Sequence, residues 1–127
     1  MSVIGHGIDI VECARIERLW REHGDVFLDR VYTATEKAYC LAARDTAVRL
    51  SGRFAVKEAV LKALGTGWRG GIAWTDIETI ADEFGKPVTT LSNLTAEIAQ
   101  RQSVRRWLVS ISHTRELAIA SALSMSD

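Results

Sequence analysis

With one proline, two cysteines and no surplus of either charge, the sequence excludes several classes of protein before any motif is read. Cys13 and Cys40 form neither a CxxC pair nor a spacing that suits a metal. They read as buried free thiols in a reducing compartment rather than as a disulfide. The 16 basic residues balance 16 acidic ones, which removes any broad electrostatic pull toward nucleic acid or a membrane surface. No apolar run approaches the ~20 residues that a membrane span needs. Met1–Ile10 lacks a basic stretch and carries Asp9 inside its only apolar segment, unlike a signal peptide. Linkers, repeats and low-complexity tracts are missing as well. The 127 residues therefore read as a single domain, 1–127, soluble and cytoplasmic.

What remains is a mixture of helical and strand periodicities. Val3–Val11 alternates as a strand, with Ile4, His6, Ile8 and Ile10 on one face and Asp9 on the other. Ala14–His23 has Ile16, Leu19 and Trp20 at helical spacing and stops at Gly24. Thr33 and Glu36 form a capping box that starts a helix through Ala42. A long helix is expected from about Asp45 to Leu64, and a short strand over Ile72–Trp74. Ile77–Ala81 and Val88–Leu91 read as strands joined around Phe84-Gly85-Lys86-Pro87. Ser92 or Asn93 caps a helix reaching about Gln102. Trp107–His113 and Leu117–Leu123 close the chain as a hairpin, turning at Thr114–Glu116. The expected class is α+β, an antiparallel sheet packed with helices around one long central helix.

The chemistry concentrates in Arg53–Gly67. Projected at about 100° per residue, this helix is apolar around nearly its whole circumference, so it is buried and its charges need partners, a ligand or a cleft. Glu58 and Lys62 stand at i and i+4 on one face. As a surface pair they would contribute only ~0.2–0.5 kcal/mol. Next to the flexible Gly65-Thr66-Gly67 they become candidates for a ligand site. This is no P-loop: GxxxxGK[ST] is absent, and the glycines follow the helix C-terminus, the wrong end for phosphate. A hard cation needs a second carboxylate, and Asp9, an acid in mid-strand, is the candidate, with a strand-end or edge aspartate facing water as the equal alternative. His113 ends an alternating strand and reads as a hydrogen-bonded structural residue sooner than as a ligand or base. Arg69, Arg105 and Arg106 read as solvated charges.

The ordered blocks Gly7-Ile8-Asp9-Ile10-Val11 with Arg15-Ile16, Gly52-Arg53-Phe54-Ala55 with Lys57-Glu58-Ala59 and Lys62-Ala63-x-Gly-Thr-Gly, Gly85-Lys86-Pro87, and Ser110-Ile111-Ser112-His113-Thr114 span nearly the whole chain. In these the sequence resembles the holo-acyl-carrier-protein synthases, the short single-domain type of 4′-phosphopantetheinyl transferase. The resemblance implies a homotrimer with active sites at subunit interfaces. It also implies transfer of the phosphopantetheine arm from coenzyme A to a carrier-protein serine, in fatty acid or polyketide synthesis. By position it implies Mg²⁺ held by Asp9 and Glu58, and Lys62 at the reacting phosphate. Arg53, Lys62, Gly65, Thr66, Gly67, Pro87, His113 and Thr114 would bind coenzyme A. Arg15 and Arg21 would meet the acyl carrier protein. The general base stays open between Glu58, Asp9 and a metal-bound water. A non-catalytic coenzyme A-binding module and a purely structural domain are the competing readings.

Overall fold

The structure, a computed structural model, describes residues 2–127. Strand β1 (Val3–Glu12) runs directly into helix α1 (Cys13–His23), followed by α2 (Asp25–Val31), α3 (Ala34–Ala42) and the long α4 (Thr46–Leu64). A 3₁₀ turn (Trp74–Asp76) leads into β2 (Ile77–Ala81), β3 (Pro87–Leu91), α5 (Asn93–Arg101), β4 (Arg106–His113) and β5 (Leu117–Met125). The strands form an antiparallel sheet of order β1-β5-β4 and a separate β2-β3 hairpin. The α+β class is as expected from the pattern.

Helix α4 lies deep on the three-stranded sheet because the sheet offers it almost no side chains. A Cβ added at Gly5 would strike the Ala63 carbonyl, and one at Gly7 the Ala59 carbonyl. On β5 the same face carries Ala118, Ala120 and Ala122, all fully buried. Backbone therefore packs on backbone, which fixes the distance between β1 and α4. The larger core residues, including Ile16, Leu28, Leu50, Val56, Val60 and Leu61, surround this contact, each contributing about 1.5–3 kcal/mol when fully buried. The Thr33–Glu36 capping box is present in full.

Two expectations change. The segment expected as a strand over Ile72–Trp74 is loop and 3₁₀ turn instead. The buried Asp76 carboxylate accepts from the Ala73 amide at 3.2 Å, Asn93 Nδ2 at 3.1 Å and Thr95 Oγ1 at 3.0 Å. That clamp curls the chain, so that Ile72 enters the core and Trp74 packs against it from a turn. Helix α2 was not anticipated, since its seven residues are too short to show a helical period. Cys13 and Cys40 are free and buried, as expected.

Candidate active site

Lys62 leaves α4 toward β1, the sheet's edge strand, where its ammonium donates to the Ile8 carbonyl at 2.9 Å and to Asp9 Oδ1 at 3.0 Å. Asp9 projects from the inner face of β1 and keeps 13% of its side chain exposed, while Lys62 keeps 51%. The Glu58–Lys62 pair that i, i+4 spacing allows is thus replaced by a longer-range one with Asp9. Glu58, one turn earlier, is half-buried. Its carboxyl is raised above the usual range, first by desolvation and then by the Asp9 charge, against the opposing pull of Lys62 and Arg15. Two carboxylates 49 positions apart in sequence thus converge beside one ammonium.

A second cluster occupies a pocket of about 130 Å³ lined by Arg53, Pro87, Gly85, His113, Tyr39 and Arg49, among others. The Arg53 guanidinium lies 4.4 Å from the Tyr39 ring centre. Its Nε is buried without a hydrogen-bond partner. A buried, unsatisfied cation is costly unless an anion completes it. Arg49 donates to the Tyr39 hydroxyl at 3.3 Å and to Asp45 at 3.2 Å.

The profile of the 4′-phosphopantetheinyl transferase superfamily matches residues 5–122. The chain belongs to that superfamily. It is 42% identical over 121 residues to the holo-[acyl-carrier-protein] synthase of Koribacter versatilis, covering 95% of this chain and 97% of that protein. To the Gloeobacter violaceus holo-[acyl-carrier-protein] synthase it is 46% identical over 116 residues, covering 91% of this chain and 87% of that one. Among solved structures, the holo-[acyl-carrier-protein] synthase of Neisseria meningitidis superposes with a TM-score of 0.88 at 31% identity, covering 98% and 99% of the two chains. The Helicobacter pylori holo-[acyl-carrier-protein] synthase in complex with coenzyme A superposes with a TM-score of 0.83 at 32% identity, covering 94% and 99%.

In this phosphopantetheinyl transferase the expected site residues fall into two groups. Asp9, Glu58 and Lys62 meet on one flank of α4, while Arg53, Pro87 and His113 share a pocket on the other. Arg53 and Lys62 project roughly opposite each other at about 100° per residue. Gly65 is the left-handed C-cap of α4, and Thr66 and Gly67 turn back with their amides on the Leu61 carbonyl. Thr66 Oγ1 is buried without a partner. Thr114 sits outside both groups, its hydroxyl accepting from the Glu116 and Leu117 amides at the β4–β5 turn. Arg15 lies over the Phe54 ring at 5.7 Å, whereas Arg21 is held by Glu17 at 2.8 Å.

The pattern of the sequence did not point to Tyr39 and Arg49, which come from separate helices, nor to the partner of Lys57. Lys57 is fully buried and donates to Glu36 Oε1 at 2.8 Å, to the Trp74 carbonyl at 3.2 Å and to the Ile77 carbonyl. Glu36 Oε2 accepts from the Thr79 amide at 2.9 Å. Burial depresses the Lys57 ammonium, and Glu36 opposes that. A lysine on an all-apolar helix was itself the signal that a buried acid had to exist elsewhere.

Proposed function

We propose that Asp9, Glu58 and Lys62 catalyse transfer of 4′-phosphopantetheine from coenzyme A to a serine of an apo acyl carrier protein, releasing 3′,5′-ADP. The observation that carries this reading is the convergence of both carboxylates with the Lys62 ammonium at one edge of the sheet. The carrier serine oxygen bonds to the β-phosphorus as its bond to the bridging oxygen breaks. The electron pair leaves on 3′,5′-ADP, and the serine proton passes to Glu58. Lys62 is oriented by Ile8 and Asp9 to stabilise charge developing on the phosphate.

Asp9 and Glu58 also fit Mg²⁺. Among the described residues no group of three His, Cys, Asp or Glu side chains gathers as a metal cage. Two mutually repelling carboxylates are the sparse oxygen set that Mg²⁺ takes, leaving positions for water and phosphate. Bound there, the ion would neutralise charge on the pyrophosphate.

The same reading has the chain work as a homotrimer, with each site drawn from two copies. The outer face of the three-stranded sheet exposes Val3, Ile8, Ile10, Leu108 and Ile119, with Ile8 56% and Ile10 60% exposed. A contiguous apolar sheet face of this kind suits burial against another copy. The acidic corner and the Arg53 pocket lie on opposite flanks of α4, so one chain presents two half-sites. Joined across an interface, Arg53, Pro87 and His113 of one copy would hold the nucleotide end of coenzyme A beside Asp9, Glu58 and Lys62 of the next. Gly65, Thr66 and Gly67 would line the arm. Arg15 would meet the acidic carrier, with Arg21 contributing once released from Glu17. No helix of the described residues is long and apolar enough to cross a membrane, which suits a cytoplasmic enzyme of fatty acid or polyketide synthesis.

The test incubates the protein with apo-carrier, coenzyme A and Mg²⁺ and follows the carrier by mass spectrometry. The carrier should gain the mass of one phosphopantetheine arm. Thermal stabilisation by coenzyme A with no mass gain would instead identify a binding module.

A further inference from the structure

Lys57 and Glu36 form a fully buried pair that belongs neither to the acidic corner nor to the pocket wall around Arg53. The Lys57 ammonium donates to Glu36 Oε1 and to the Trp74 and Ile77 carbonyls, which uses its whole donor capacity. Glu36 is as heavily committed. Its Oε1 also accepts from the Thr33 amide at 3.0 Å, and its Oε2 from the Thr79 amide at 2.9 Å. Helices α3 and α4 and the start of β2 thus meet on one ion pair. The Thr79 hydroxyl hydrogen-bonds the Thr89 hydroxyl at 2.8 Å, both residues buried, which carries the attachment across to β3.

Among the described residues no ladder joins the β2–β3 hairpin to the three-stranded sheet. The hairpin nevertheless supplies part of the Arg53 pocket, since Ala81 and its cross-strand partner Pro87 line it together with Tyr39, Arg53 and His113. Arg53 stands one turn before Lys57 on α4, so the side chain that anchors the hairpin and the one that lacks an anion share a flank. Stability alone does not call for such a pair, because apolar residues of similar size often replace a buried ion pair without loss. What they would lack is direction. Bonds to particular carbonyls and amides fix β2 against α4 in one position.

We propose that Lys57 is a positioning residue for coenzyme A: with Glu36 it holds the β2–β3 wall at the distance from Arg53 at which the pocket accepts the coenzyme, without touching the ligand. The inference rests on the transferase reading above, which supplies the ligand. Small displacements of a binding wall are costly to a ligand that must be held in one orientation. The clamp therefore acts on coenzyme A affinity, not on the chemical step.

Glu36→Gln, Lys57→Met and the double variant are compared with Leu28→Ala, a substitution at a buried α2 position outside the clamp. Coenzyme A binding is read by isothermal titration calorimetry and transfer by steady-state kinetics, below the unfolding temperature of every variant. Lys57→Met and the double variant should raise the Kd and KM for coenzyme A about tenfold, with kcat at saturating coenzyme A within about twofold. Glu36→Gln should raise them less, since glutamine preserves the capping box and still accepts from Lys57. The double variant should recover part of the urea stability that Lys57→Met loses while keeping the coenzyme A defect, which a merely structural pair would not do. Leu28→Ala should lose stability with coenzyme A affinity unchanged. Wild-type affinity for coenzyme A in every folded variant of the pair, or an equal defect in Leu28→Ala, would overturn the proposal. Because Kd is read without transfer, wild-type protein that binds coenzyme A but leaves the carrier unmodified would remove only the transferase reading, and the same Kd comparison would still decide the clamp.

Discussion

At the residue scale, Glu58 is tuned at a cost to the fold. Its carboxyl binds a proton more tightly in the folded chain than at the ordinary value of 4.5. Stability from this group is therefore present at low pH and lost as pH rises through that ordinary value and up to the raised folded value. Glu58→Gln removes the charge without changing the shape. In buffer free of metal and coenzyme A, its melting temperature should exceed that of the wild type at neutral pH, and the gap should close as pH falls below 4.5. Calorimetry across that range checks the sign. Lys62→Ala should lower kcat about 10²–10³-fold with a smaller change in the KM for coenzyme A, since its proposed role is in the transition state; steady-state kinetics with coenzyme A varied separates the two outcomes. The Cys40 thiol, pushed up to about 11 chiefly by burial, should resist alkylation at neutral pH until urea unfolds the protein, as read by intact mass.

At the element scale, α4 connects the parts of the site, and its placement depends on one ion pair and two glycines. Removing one member of a buried pair leaves the other charge uncompensated, so Lys57→Met should cost about 3–5 kcal/mol in urea unfolding, with Glu36→Gln/Lys57→Met recovering part of it. Gly7→Ala should cost about 3 kcal/mol, near the top of the range for overpacking, because its Cβ has no space beneath Ala59. Much of this element was legible in the sequence. An apolar circumference announced a buried helix, and Thr33 with Glu36 announced the start of α3. The partner of Lys57 was not legible, because Glu36 already had an apparent role as a capping residue and pairing across 21 positions leaves no local period. The curl at Trp74–Asp76 was hidden for a similar reason: it depends on Asn93 and Thr95, which belong to a later helix. Nor does alternation along β1 say which face is core. The isoleucine face lies outward, and the glycine face takes the helix.

At the scale of the whole molecule, the proposal is that no single chain holds a complete site. Ile8→Asp on the outer sheet face should shift the protein toward monomer in analytical ultracentrifugation and reduce transfer by at least tenfold, while circular dichroism remains that of a folded chain. Glu58→Ala and Arg53→Ala, each inactive alone, should regain transfer when dissociated and reassembled together, since a mixed assembly restores intact sites from complementary halves. The proposed catalysis stands or falls with the acidic corner of Asp9, Glu58 and Lys62. Wild type, Asp9→Ala and Glu58→Ala are compared at saturating coenzyme A and Mg²⁺, with arm transfer to apo-carrier read by mass spectrometry. Wild type should show rapid mass gain, and each variant should lose most transfer while remaining folded. Near-wild-type transfer by a folded Asp9→Ala or Glu58→Ala protein would contradict the proposed catalysis.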